Sequence, residues 1–143
     1  MADHVTPERR SFIMSKVGRK NTKPEMVLRR ALHGLGYRYR LHRRDLPGSP
    51  DLVFPSRRKV IFVHGCFWHG HGCRWGQLPK TRPEYWLPKI EANKDRDNRA
   101  LTLLSEKGWQ TMVVWQCELR DPEDTVGRVV AFLDHYISVG KSP

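Results

Sequence analysis

The chain has 143 residues, with 26 Lys and Arg against 15 Asp and Glu, a formal charge of +11. That length predicts one domain over 1–143 whose core needs no disulfides, and so strong a positive field fits a polyphosphate backbone better than a small metabolite. The start, MADHVTPERR, carries no apolar run, nothing reaches the ~20 apolar residues of a membrane span, and three cysteines cannot all pair, so the expectation is a cytoplasmic chain with no signal peptide and no membrane partner.

Thr6-Pro7-Glu8 supplies the capping hydroxyl and early proline of a helix start. Phe12, Ile13 and Val17 then mark an N-terminal helical arm over about 6–20, breaking near Gly18. Thr22-Lys23-Pro24-Glu25 repeats the signal, with Leu28, Ala31, Leu32 and Leu35 on one face and Gly34 and Gly36 to end it. Tyr37, Tyr39 and Leu41 alternate with basic residues, as in a half-buried strand. Pro47-Gly48-Ser49-Pro50 turns the chain into a short strand over 51–54. Pro55-Ser56-Arg57-Arg58 turns it again into 59–63, and the two runs are close enough to form a hairpin. After a loop through about Arg82, Leu87-Pro88 is expected to open a long charged helix with Ile90, Asn93, Asp97, Leu101 and Leu104 on one face and Gly108 as its cap. The nearly all-apolar run 111–115 predicts a strand covered on both sides. Asp121-Pro122-Glu123 caps a last helix with Val126, Val130, Leu133 and Ile137 in line, before a flexible tail over about 139–143. The order ααβββαβα predicts an α/β fold, a mixed sheet flanked by helices with its chemistry at strand ends.

Residues 64–73 read HGCFWHGHGC. Cys66, His71 and Cys73 lie close in sequence and Cys117 follows the last strand, a set of three thiolates and one imidazole suited to tetrahedral Zn²⁺. His69 and His71 compete for the fourth place; Gly70 and Gly72 flank His71 and permit a tight wrap, which assigns the position to His71 and leaves His69 free. Four protein ligands close the site, so this zinc would be structural and would fix a long loop. The plainer alternative makes Cys117 a small buried hydrophobe.

A carboxylate at Asp51, at a strand end facing backbone carbonyls, suits Mg²⁺, which prefers oxygen and completes its shell with phosphate and water. A neutral imidazole nearby could take a proton from an attacking water. Each residue also has a bland reading. Asp51 could be a turn carboxylate and His64 a hydrogen-bonding support; Glu25 could complement its helix dipole, and Asp97 could belong to a solvated ladder in KDRDNR. Phe67 and Trp68 are either a wedge for DNA or a plug for the small core beneath the loop. Trp75, Trp109 and Trp115 read as packing, and the basic runs 40–44 and 57–59 as phosphate contacts or solvated charge.

Asp51, HGCFWHGHGC, TRPEYW (81–86) with the charged helix after it, and VVWQCELR (113–120) together resemble the very short patch repair (Vsr) endonucleases, from about Ser11 to Arg120. The resemblance implies a restriction-endonuclease-like core of the PD-(D/E)xK type. It implies an enzyme that nicks one strand 5′ to the thymine of a T:G mismatch left by deamination of 5-methylcytosine. Asp51 and the Val63 backbone carbonyl would bind Mg²⁺, and His69 would be the general base, supported by His64, Glu25 and Asp97. Cys66, His71, Cys73 and Cys117 would hold structural Zn²⁺. Phe67, Trp68 and Trp86 would intercalate, while the N-terminal helix, with Met14, embraces the opposite groove. The expected partners are double-stranded DNA and general mismatch-repair proteins, and the expected state is a monomer. Three features depart from wider patterns. Phe62-Val63-His64 stands where restriction enzymes carry acidic-x-Lys, a replacement the Vsr family shares. Val63 stands where threonine is common in the family, and Gly70 and Gly72 replace histidines of some members. The rival readings are a restriction-type endonuclease on intact sites and a non-catalytic zinc-ordered DNA-binding module, which would have no use for Asp51 beside His69.

Overall fold

The computed structural model describes residues 22–73 and 82–135. In chain order these form α1 (Lys23–Gly34), β1 (Arg40–Leu41), β2 (Leu52–Phe54), β3 (Lys59–His64), α2 (Pro83–Glu106), β4 (Gln110–Trp115) and α3 (Pro122–Asp134), with short 3₁₀ turns at Pro55–Arg57 and Gln116–Arg120. The expected helical arm, Met14 and the tail lie outside the described residues.

The strands make one mixed sheet in the order β1-β2-β3-β4: the first two pairings are antiparallel, and β3 runs parallel to β4. A parallel pair needs a crossover, and α2 supplies it. Alternation along β3 sends side chains to two cores. Ile61 joins Leu28 and Leu32 of α1 and Val129 and Leu133 of α3. Val60 and Phe62 join Leu104 of α2 and Trp109. Helices therefore cover both faces, and β3 is buried at every position but Val63.

Several sequence expectations shift. β4 is apolar, but among the described residues it is an edge strand with only Val114 buried; the doubly covered strand is its neighbour β3. α2 starts at Pro83 rather than near Leu87, because Pro83 takes the first-turn place and Pro88 is carried inside the helix. A proline so near the start removes one backbone bond, and burial of Trp86 secures the added turn. α3 buries Thr125, Val129 and Leu133, with Val126 and Val130 only partly covered, so its inner face is turned by about one residue. The strand expected over 37–41 contracts to Arg40–Leu41. Tyr37 and Tyr39 still pack on the core, and their hydroxyls donate to Asp134 Oδ1 and the Arg29 carbonyl.

The basic run 57–59 serves helix ends. Arg57 donates to the Leu133 carbonyl, Lys59 Nζ to the carbonyls of Phe132, Leu133 and His135, and Arg58 to that of Lys107. The last carbonyls of a helix have no partner within it and sit at its negative end, so cations are well placed there. Among the described residues no helix is long and apolar enough to cross a membrane.

Candidate active site and metal clamp

Strand register builds the site. His64 and Trp115 are paired at the ends of β3 and β4, so Cys66 and Cys117, each two residues further on, emerge side by side. The chain then winds tightly: His69 N–H donates to the Gly65 carbonyl at 3.2 Å and His71 N–H to that of Cys66 at 3.0 Å. One donor atom each from Cys66, His71, Cys73 and Cys117 falls within 4.8 Å of the others. Burial pushes the Cys66 thiol up to about 12 and raises that of Cys117 as well. Such thiols shed their protons on taking a soft dication, and three sulfurs with one imidazole have the composition of a closed tetrahedral site.

One face of α2 holds this loop. Asn93 Nδ2 donates to the Trp68 carbonyl at 2.8 Å. Gly70, at φ +66°, lies so close that a Cβ there would come within 2.7 Å of Lys94 and 2.8 Å of Ile90. One turn further along, Asp97 Oδ2 accepts from His69 Nδ1 at 2.5 Å. That bond fixes the tautomer, leaving Nε2 of His69 as its basic nitrogen. The His69 ring lies flat on His64, with centroids 3.8 Å apart and planes 4° from parallel. His64 Nδ1 is buried without a hydrogen-bond partner among the described residues, 3.9 Å from Asp97 Oδ2. Burial, and then the neighbouring His69, depress His64 to about 4 against the pull of Asp97, so it is neutral at pH 7. His64, His69 and Asp97 are compact enough to consider as metal ligands. Parallel stacking argues against it, since a metal binds in the plane of each imidazole and two stacked planes share no such point. Trp115 is more than packing: it stacks on His71 at 4.1 Å and sets its edge against His64 at 5.3 Å, joining the clamp to the histidine pair.

At the same strand end Asp51 is buried, and its Oδ2 accepts from Val63 N–H at 2.7 Å. Glu25, only 1% exposed, is not simply a dipole complement on a surface helix. Its Oε2 accepts from Arg29 at 3.3 Å and from His42 Nε2 at 2.7 Å, and His42 Nε2 is also 3.9 Å from Asp51 Oδ1. Burial drives Asp51 up to about 7, and the Glu25 charge adds to the rise, despite the Val63 N–H. Two buried carboxylates with one donor atom each within 4.8 Å of the other have the composition to suit a hard divalent cation. Sequence reasoning missed His42. Within LHRRD it resembles part of a basic run, and its one signal is an imidazole among guanidinium groups.

Phe67, Trp68 and Trp86 meet edge to face, with centroids 5.1 to 5.9 Å apart. Phe67 and Trp68 are half-buried, whereas Trp86 is 3% exposed and forms the floor under them.

The family described as "DNA mismatch endonuclease Vsr" matches residues 2–75. A type II nicking enzyme, V.XorIIP, of Xanthomonas oryzae pv. oryzae is 60% identical over 134 residues, covering 94% of this chain and 98% of its own. Another, V.NmeAIP of Neisseria meningitidis, is 43% identical over 85% of this chain and 86% of its own. The Escherichia coli protein named DNA mismatch endonuclease Vsr is 43% identical, covering 86% of this chain and 79% of its own. With that much of the chain matched, this protein belongs to the Vsr family, a family of DNA endonucleases.

Proposed function

We propose that this chain is a Mg²⁺-dependent mismatch endonuclease that nicks one DNA strand on the 5′ side of the thymine in a T:G pair. In this reading the sheet is a restriction-endonuclease-like core, and Zn²⁺ held by Cys66, His71, Cys73 and Cys117 is structural. The observation that carries it is the gathering of an oriented imidazole, His69 on Asp97, and two buried carboxylates, Asp51 and Glu25, at one end of the sheet beside the aromatic cluster. His69 Nε2 accepts the proton of the attacking water. Asp97 holds the ring's tautomer and steadies the imidazolium that results. His64, kept neutral by burial, braces the ring of His69 without adding a competing charge. Asp51 is the cation ligand. In a strand, the carbonyl of a residue points to the same side as its N–H, so the Val63 carbonyl faces Asp51 too and suits a second ligand place. Asp51 and that carbonyl would hold Mg²⁺, which would supply Lewis-acid polarisation of the phosphoryl oxygen and charge neutralisation at the leaving 3′-oxygen.

Selectivity comes from the wedge. Phe67 and Trp68 stand on Trp86 and can enter a base step, replacing lost stacking as the duplex bends. A T:G step costs less to open than a matched one, which favours the damaged site. Net charge of +11 supplies the affinity for backbone phosphate. Duplex oligonucleotides differing only in T:G or C:G at one position test the reading, with and without Mg²⁺. Nicking confined to T:G and dependent on Mg²⁺ is expected. Cutting of both duplexes would point to a restriction-type enzyme, and binding without cleavage to a zinc-ordered binding module.

A further inference from the structure

We propose that His42 is a nitrogen ligand of the cation site formed with Asp51 and Glu25, and that this imidazole makes the site prefer Mn²⁺ over Mg²⁺. The inference rests on the reading of Asp51 as a cation ligand and adds to it. One donor atom each from Glu25, His42 and Asp51 falls within 4.8 Å of the others, from three separate segments of the chain. His42 Nε2 lies 2.7 Å from Glu25 Oε2 and 3.9 Å from Asp51 Oδ1. Neighbouring ligands of an octahedral ion with ~2.1 Å bonds are about 3 Å apart and opposite ones about 4 Å, so the three donors need shift only slightly to surround one ion. The backbone is arranged for this ring. His42 has φ +48°, an uncommon conformation for a residue with a side chain, and its N–H is tied to the Asp51 carbonyl at 3.1 Å. Strain of that kind persists where the surrounding structure fixes it, and it gathers at functional sites. No phosphate or DNA role is needed to explain a ring turned inward onto two carboxylates. Mg²⁺ strongly prefers oxygen, while the first-row transition ions accept imidazole as well. A mixed set of two carboxylates and one imidazole therefore still serves Mg²⁺ but holds Mn²⁺ more firmly.

The test uses the zinc-loaded full chain and Mn²⁺ alone as probe. Calorimetric titration gives Mn²⁺ and Mg²⁺ affinities, and the pulsed electron spin resonance of bound Mn²⁺ reports a directly ligated ¹⁴N. Wild type is expected to show nitrogen coupling and a Mn²⁺ preference of about tenfold or more. His42→Asn, chosen because asparagine tolerates the left-handed backbone, should lose the coupling and most of the preference. It should still bind Mg²⁺ within about threefold of wild type, since the oxygen ligands remain. His42→Gln provides the same comparison if the first variant folds poorly, with the circular dichroism spectrum as the check. Bound Mn²⁺ that is lost in Asp51→Asn but shows no nitrogen coupling overturns the His42 assignment alone. So does a nitrogen coupling that survives in both His42 variants. Failure of wild type to bind Mn²⁺, or binding indifferent to Asp51→Asn, overturns both this inference and the cation site on which it rests.

Discussion

The two ends of the sheet treat buried polar groups in opposite ways. At the turn between β2 and β3, Lys59 is 4% exposed and its ammonium reaches three carbonyls at the end of α3, while Arg57 and Arg58 serve the ends of α3 and α2. Every cation there has a neutralising acceptor, and the result is a lock. At the far end Asp51 and Glu25 are buried side by side, His64 Nδ1 has no hydrogen-bond partner among the described residues, and three thiols crowd one imidazole. The ends differ in what they gather: cations on helix carbonyls at one, and at the other carboxylates, imidazoles and thiols spaced closely enough to share metal ions.

The sharpest way to break this contrast is to remove groups of the far end one at a time. His69→Ala should slow single-turnover nicking of a T:G duplex by about a thousandfold or more, some 4 kcal/mol of barrier, with melting temperature and DNA affinity close to wild type. A loss under tenfold would sink the base assignment. Cys117→Ser should release zinc and cost about 3 kcal/mol, a fall of roughly 10 °C in melting temperature for a chain this size. Metal analysis and calorimetry read both together, and unchanged zinc with an unchanged melting temperature would refute the clamp. Asp97→Asn should leave fold and zinc intact but slow nicking by about a hundredfold, ~2.7 kcal/mol, because an amide can no longer fix the His69 tautomer or steady its charge.

Much of this end was legible in the chain because its signals are local. Cys66, His71 and Cys73 are close in sequence, and the helical spacing of Ile90, Asn93, Asp97, Leu101 and Leu104 is a face that the structure divides in two. Its first half grips the 65–71 loop and its second half enters the core. Cys117 could be placed beside Cys66 once the two strands were taken as neighbours. What sequence could not show depends on burial and distant pairing. Nothing local says that Glu25 is enclosed, that His42 turns inward from a basic run, or that Trp86 lies beneath Phe67 and Trp68 instead of beside them. The role of Trp115 was hidden for the same reason: its ring meets His71 and His64 only through the β3–β4 register. In the basic run 57–59, Arg57 and Arg58 are exposed as a charge run suggests, but Lys59 is buried, and nothing local says which helix ends the three serve.

That run gives the contrast its mildest test. Lys59→Met keeps an apolar stem of similar length in the buried site but removes the ammonium that the carbonyls of Phe132, Leu133 and His135 share. Those carbonyls then lose a charged donor at the negative end of α3, although part of the cost returns because a methionine is cheaper to bury than an ammonium. Burial first, and then the Arg57 charge, lower the Lys59 pKa against the pull of Asp134, and the share due to burial is the sign of that cost. The balance should be a loss of about 1–2 kcal/mol in chemical denaturation, with nicking rates measured well below the melting temperature unchanged within about twofold. A Lys59→Met enzyme as stable as wild type would show that this lysine is solvated charge after all. One that folds normally but nicks a hundredfold more slowly would show that the two ends of the sheet are not separate in function.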